Sequence, residues 1–306
     1  MTHLSIVIPV LNEETLIKEL IRRVATSSQV VTKDYEILII DDGSNDDTWG
    51  QIIGEARSDR KIRGIKLSRN FGHHYAISAG IHNATGDWIV VMDGDLQDRP
   101  EVIPQLYAEA NLGFEVVFVS RINRPEKRYY LIAQRLFYFG LKKISGIYFD
   151  PTQANFSIIS KKVGQAFKLF PENARFYVST IKWLGFKTGT ITAEHGKRYS
   201  GTPSYTFKKR VRLAAEIIIA FSERPLRVSI YFGVLVSILS MIGMIIIFYK
   251  SLVSGYDAIG WPSLMVSIYF LGGTILTVLG ILGIYVGQIF REVKERPLYV
   301  IQDKIN

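Results

Sequence analysis

The sequence predicts an α/β chain: a mostly parallel, doubly wound sheet in its first two thirds, then a pair of long apolar helices. Three observations predict this. Short β-branched runs alternate with segments of helical periodicity, three of the first four runs end in an acidic motif, and two late stretches carry no charge. Alternation of this kind is the mark of a parallel sheet wound by crossover helices. Ligands on such sheets bind at the carboxyl ends of the strands, which is where the acidic motifs fall.

Residues 4–10 (LSIVIPV) form a nearly continuous apolar run, as expected of a strand buried on both faces. Residues 13–24 follow with Leu16, Ile17, Leu20, Ile21 and Val24 at helical spacing. Residues 35–40 (YEILII) are the second strand, 48–57 the next helix and 62–67 the third strand. A helix from about residue 74 to 83 leads into a fourth strand at 88–92.

Further along, residues 228–249 and 264–290 are free of charge. At about 1.5 Å per residue the first spans about 33 Å, enough for a bilayer core of about 30 Å. A pair of buried core helices is the alternative, but so small a remainder could hardly cover them. Arg224 and Arg227 precede the first stretch and Arg291, Lys294 and Arg296 follow the second, whereas the connecting loop carries only Lys250. That asymmetry predicts a two-span membrane anchor with both termini cytoplasmic. The absence of ionisable residues inside the spans argues for an anchor and against a transport pathway. The predicted organisation is a catalytic domain at 1–204, an amphipathic interfacial region at 205–227, two spans within 228–290 and a tail at 291–306. An anchor of two helices leaves room for association between copies.

The 306 residues carry a formal net charge of +9 and no cysteine. A disulfide framework and a thiolate metal site are thereby excluded. The charge admits nucleic acid, anionic lipid or phosphorylated substrates. Its concentration beside the apolar stretches, with no nucleic-acid-binding motif, favours lipid and phosphate and predicts no nucleic-acid partner. Two basic amphipathic stretches, 127–143 and 205–227, suit the membrane interface or packing on the sheet. The first six residues lack the basic and apolar regions of a signal peptide, so the α/β part is expected in the cytosol.

The chemistry concentrates in Asp93-Gly94-Asp95-Leu96-Gln97-Asp98. Two carboxylates one residue apart converge when a strand opens into a turn, and Gly94 is expected to let the backbone bend there. Two hard oxygen ligands beside a diphosphate suit Mg²⁺ or Mn²⁺, acting as a Lewis acid on the leaving group. Asp41-Asp42-Gly43-Ser44 closes the second strand, with an acid placed to accept from a base or ribose and Ser44, Asn45 or Asp46 available to cap the next helix. Pro9-Val10-Leu11-Asn12-Glu13-Glu14 closes the first strand in the same way, as ligand contact or as cap.

Together these motifs resemble the family 2 glycosyltransferases with a GT-A (Rossmann-like) fold. The resemblance is closest to the polyprenyl-phosphate sugar transferases, the group of dolichol-phosphate mannose synthases and bactoprenol glucosyltransferases. Leu67-Ser-Arg-Asn-Phe-Gly72, Ser78-Ala79-Gly80, Pro100-Glu101 and Arg296-Pro297-Leu298-Tyr299 extend it over nearly the whole chain. The resemblance implies inverting transfer of a hexose from a nucleotide-sugar, of UDP-glucose type, to polyprenyl (undecaprenyl) phosphate for cell-envelope glycan modification. It places Glu13 and Asp42 at the nucleoside, Asp93 and Asp95 at metal and diphosphate, and Gln97 at the sugar or phosphate, and Pro9 is a further candidate for binding the donor. Arg198, in Arg198-Tyr-Ser-Gly201, matches a residue that closes over the donor phosphates, although the usual lysine of that pattern is replaced, with Ser204 in its place. Arg121 and Arg128, then Arg135, are candidates for the lipid phosphate.

Many relatives carry Gly-Asp-Phe-Arg where this chain reads Ala154-Asn155-Phe156-Ser157. Asn155 cannot take a proton, so a hydroxyl acceptor would need another base, such as Asp150. A phosphate acceptor, with a second pKa of about 6, attacks without one. His73 and His74 have no acid at metal-ligand spacing and are read as structural. A processive polysaccharide synthase would show Gln-x-x-Arg-Trp, which the residues before Trp183 do not match. A membrane protein that has lost catalysis is the remaining rival, with Asn155 its support.

Overall fold

The structure is a computed structural model describing residues 3–122, 153–170, 176–194, 224–254 and 260–306. The chain divides into two compact units: one holds the sheet and the last residues, Arg296–Asn306, and the other the two long apolar helices.

Strands β1 (Leu4–Val10), β2 (Tyr35–Asp41), β3 (Ile62–Leu67) and β4 (Trp88–Val91) alternate with helices α1 (Ile17–Val31), α2 (Thr48–Ser58) and α3 (His73–Asn83). A 3₁₀ turn at Pro100–Val102 leads into α4 (Ile103–Ala110), followed by β5 (Val116–Ile122) and β6 (Gln153–Ser160). Next come α5 (Lys161–Lys168), α6 (Tyr177–Trp183) and β7 (Thr188–Glu194). The helices α7 (Arg224–Ser254) and α8 (Trp261–Val293) precede a last strand, β8 (Ile301–Ile305).

The eight strands form one sheet in the order β7-β5-β6-β4-β1-β2-β3-β8. β1 pairs in parallel with both β2 and β4, so the winding direction reverses beside β1 and opens a crevice at the carboxyl ends. The sheet is more mixed than expected. β6 runs antiparallel between β4 and β5, and β8 antiparallel to β3. β8 lies within the predicted tail, and its residues 301–305 complete the edge of the sheet.

Alternate side chains feed two cores, as the period of a strand requires. Leu4, Ile6, Ile8 and Val10 of β1 pack with Leu20, Ile52 and Leu106 from α1, α2 and α4. Val7 packs on the other face with Ile77, Val163 and Ile181 from α3, α5 and α6. α1 begins at Ile17, later than its periodicity alone predicts, because residues 11–16 form a loop bonded to the β2–α2 connection. Asn12 N–H donates to Ser44 Oγ at 2.9 Å, Glu13 N–H to Thr48 Oγ1 at 2.9 Å and Asp47 N–H to Glu14 Oε2 at 2.9 Å. Asp46, one residue before the N-cap Asp47, accepts from Thr48 N–H at 3.1 Å and Thr48 Oγ1 at 2.6 Å at the start of α2.

α7 and α8 run to 31 and 33 residues. Both contain segments long and apolar enough to cross a membrane, Leu226–Gly243 and Ser267–Val293. Their large apolar side chains are mostly exposed, among them Leu235, Ile245, Leu276 and Val286. Apolar surface of this extent marks a site of membrane or protein interaction.

Candidate active site

The site lies where β1, β2 and β4 end. Pro9 can sit in a central strand because of where its nitrogen points. Met92 N–H donates to Val7 O on the β4 side and Asp42 N–H to Val10 O on the β2 side. By alternation Pro9 faces β4, and the β1–β4 pairing has already ended at Val7 and Val91. The missing N–H therefore costs no ladder bond, and the turn after β4 moves in against the Pro9 carbonyl. Pro9 itself is buried, so it shapes the site from beneath.

Gly94 is required for that approach. A Cβ on it would meet Val10 Cγ1 at 2.6 Å and the Pro9 carbonyl oxygen at 3.1 Å. The expected backbone bend falls instead at Leu96, which takes a left-handed φ of 58° while its side chain is buried in the core. Gly94, Leu96 and Asp98 are buried, whereas Asp93, Asp95 and Gln97 between them are half-exposed. The three side chains chosen for metal, diphosphate and sugar thus share the open side of one turn. Gln97 N–H donates to Asp95 Oδ1 at 3.1 Å, fixing that carboxylate across the bend.

Asp42 is nearly covered, and its two oxygens accept from the backbone N–H groups of Phe71 and Gly72 at 2.8 and 2.9 Å. Burial raises its pKa above the usual carboxylate value, and the two amides only partly oppose the shift. Gly43, at φ 75°, lets the chain pass this loop, because a Cβ there would lie 2.4 Å from the Arg69 carbonyl carbon. Asp42 is therefore first an anchor for residues 69–72. Its neighbour Asp41 is buried, with Oδ1 accepting from Ser44 N–H at 2.8 Å and Oδ2 without a hydrogen-bond partner among the described residues. Glu13 stands half-buried in the loop after β1.

The anchored loop delivers a residue that sequence reasoning set aside. His73 opens α3, and its Nε2 lies 3.0 Å from Asp93 Oδ1. Asn155, on β6, brings its Nδ2 within 3.0 Å of the same nitrogen and 3.5 Å of the same oxygen. Loss of hydration lowers the His73 pKa, but the charge and hydrogen bond of Asp93, with Asp42 and Asp95, raise it above its ordinary value overall. His74 behaves oppositely. Burial and the charge of His73 push it down to about 3, and its ring packs edge-on against Phe176. His74 is thus packed away from the turn, whereas His73 lies against the Asp93 carboxylate. The only sequence signal was its place, directly after a glycine at the start of the helix that follows β3.

Arg121 lies on β5 opposite Ala193 of β7. Arg128, Arg135, Asp150, Arg198 and Ser204 lie outside the described residues, as do the basic segments 127–143 and 205–223. Among the described residues no group of three His, Cys, Asp or Glu side chains is set to hold a metal. Asp93 and Asp95 would need ligand oxygens to complete a coordination shell, and this suits a cation that arrives with a diphosphate.

Comparison with known proteins agrees with this architecture. The chain is 36% identical to a prophage-derived bactoprenol glucosyl transferase of Shigella flexneri over 300 residues, 98% of this chain and 97% of that one. It is 36% identical to an uncharacterised glycosyltransferase of Synechocystis sp. over 302 residues, 98% and 95% of the two chains. Among solved structures, glucosyl-3-phosphoglycerate synthase of Mycobacterium tuberculosis, crystallised with Mn²⁺, UDP-glucose and phosphoglyceric acid, superposes with a TM-score of 0.51. The match is 16% identical and covers 71% of this chain and 78% of that one, a likeness of fold. The family model for glycosyl transferase family 2 matches residues 5–169. The chain, a glycosyltransferase with a GT-A-like mixed sheet, belongs to glycosyl transferase family 2.

Proposed function

We propose that the chain transfers a hexose, glucose first among candidates, from a UDP-sugar to a polyprenyl phosphate of the undecaprenyl type, for cell-envelope glycan modification. The observation that carries this reading is the end-to-end similarity to bactoprenol glucosyl transferases, which takes in both the sheet and the apolar helices.

The geometry supports a donor bound over the turn after β4. Asp93 and Asp95 offer carboxylate oxygens on its open side, and hard oxygen donors fit Mg²⁺ or Mn²⁺. A divalent cation there would neutralise the charge of the departing diphosphate. Glu13 and Asp42 border the nucleoside side, and Gln97 reaches toward the sugar. Arg198, Arg121 and Arg128 are assigned to donor and acceptor phosphates, which guanidinium groups bind by paired hydrogen bonds.

In the transfer, an oxygen of the lipid phosphate forms a bond to the anomeric carbon as the bond from that carbon to the diphosphate breaks, with inversion. A phosphate monoester with a second pKa of about 6 is largely dianionic at neutral pH and has no proton to surrender. Asn155 accords with this, because its amide faces His73 and Asp93 and offers no basic site.

We place α7 and α8 across the cytoplasmic membrane. At about 1.5 Å per residue each exceeds a core of about 30 Å, so the helices tilt or extend beyond it. The chain returns to the sheet as β8 after α8, which calls for an even number of crossings. Arg224, Arg227, Arg291 and Lys294 at the outer ends of the pair put the sheet on the cytoplasmic side.

The test uses the full chain in lipid nanodiscs with undecaprenyl phosphate and, in turn, UDP-glucose, UDP-galactose, UDP-N-acetylglucosamine and GDP-mannose. Formation of a lipid-linked hexose from one UDP-sugar is the expected result. No lipid product from any donor, with transfer to a glycan hydroxyl instead, would refute the lipid acceptor.

A further inference from the structure

Asp93, His73 and Asn155 come from three separate elements, the β4 turn, the start of α3 and the middle of β6. Their polar atoms converge within 3.0–3.5 Å. The carboxylate can only accept and the amide nitrogen can only donate. An imidazole nitrogen 3.0 Å from a carboxylate oxygen must carry its proton there, since two lone pairs at that distance repel. His73 Nε2–H is thereby directed at Asp93 Oδ1, and the Asn155 amide closes on the pair, its nitrogen 3.0 Å from His73 Nε2 and 3.5 Å from Asp93 Oδ1.

The support behind His73 is equally specific. Asp42 takes the N–H groups of Phe71 and Gly72, the two residues before it, and Gly72 turns the chain into α3 at φ 112°. Hydrogen bonds therefore run from the end of β2, through the loop, to the first carboxylate of the β4 turn. Asn155 has a fixed backbone too, in the part of β6 next to the Ser157↔Val91 pairing with β4.

We propose that His73 and Asn155 are positioning residues that hold the Asp93 carboxylate for the cation and diphosphate of the donor. The idea rests on the donor site proposed above. Groups that orient a metal-binding side chain commonly set metal affinity by about 10- to 100-fold. On this account Asn155 is the second donor to the acid that begins the Asp93-Gly94-Asp95 motif, and the loss of a base at this position is the gain of an amide hydrogen bond.

The experiment measures Mn²⁺ binding directly, by the electron paramagnetic resonance signal of free Mn²⁺, for the full chain in detergent with UDP present. His73→Ala and Asn155→Ala should each weaken Mn²⁺ binding by about 10-fold. His73→Gln, whose amide N–H reaches a similar point, should restore most of the loss. In turnover, the Ala variants should raise KM for the nucleotide-sugar and leave KM for the lipid phosphate unchanged. Thermal melting shows whether each variant is folded, and the Gln rescue separates lost positioning from lost packing. Unchanged or tighter Mn²⁺ binding in His73→Ala, with Asp93→Ala abolishing it, would overturn the positioning role and leave the donor site standing. Absence of Mn²⁺ binding by the unaltered protein would overturn both.

Discussion

Leu96 carries a left-handed φ of 58° in the middle of the acidic turn, a conformation that costs a branched residue about 1–2 kcal/mol. Burial of its side chain among the core residues, worth about 1.5–3 kcal/mol, offsets that cost. The turn is therefore fastened from below by an apolar side chain, and its polar side chains project from the other side. Gly94 completes the arrangement by letting the turn lie against Val10 and Pro9. Gly94→Ala should overpack this contact, lowering stability by about 1–3 kcal/mol and weakening donor binding with it. Denaturant unfolding and the KM for the nucleotide-sugar check the pair of effects. At this scale the sequence shows which residues carry charge but not which of them meet. Asn155 and His73 are 82 positions apart, and the contact of Asn155 with Asp93 depends on β6 pairing antiparallel with β4. The glycine was legible as necessary, but for the wrong reason: bending was expected, and close approach is what the backbone requires.

Among the elements, β1 to β4 were readable because buried parallel strands leave continuous apolar runs, and the helices between them leave a stripe at helical spacing. β8 left no such sign. Ile301-Gln-Asp-Lys-Ile305 is a short edge strand with three exposed residues at its centre, and its partner, β3, lies more than 230 positions earlier. Its attachment shows only in three dimensions, where Tyr299 Oη meets His82 Nδ1 at 3.0 Å and Asn306 Nδ2 donates to the Ala56 and Ile62 carbonyls at 2.6 and 2.9 Å. The opposite end of the strands is held by Glu36 of β2. It accepts from Ser5 Oγ, from Thr85 N–H and Oγ1, and from Arg63 Nη1, with His3 Nε2 at 3.9 Å. Burial alone would raise its pKa, but these donors together hold it below its ordinary value of 4.5. The stabilisation is complete above that value and is lost as pH falls through the lowered folded-state pKa. Melting curves taken from pH 6 down to about 3 should show the unaltered chain losing stability more steeply than Glu36→Gln. Parallel pH profiles for the two proteins would remove Glu36 as a source of acid sensitivity.

Across the whole molecule, a sheet with its acidic turns at the carboxyl edge is joined to two helices whose apolar side chains stand mostly uncovered, and the chain after those helices returns to the sheet. That connectivity is what a transferase needs if its donor is soluble and its acceptor phosphate stays at a membrane surface. The apolar helices were legible from length and absence of charge, whereas the route back was not. The central claim is transfer to a lipid phosphate by a donor site built on Asp93 and Asp95. Its most direct test is single-turnover transfer of labelled glucose from UDP-glucose to undecaprenyl phosphate, with undecaprenol as the matched alcohol. The account predicts an inverted, β-linked glucosyl phosphate lipid, none on the alcohol, and loss of product with EDTA or in Asp95→Ala while the variant remains membrane-inserted. Product on the alcohol, or full activity of Asp95→Ala in EDTA, would contradict it.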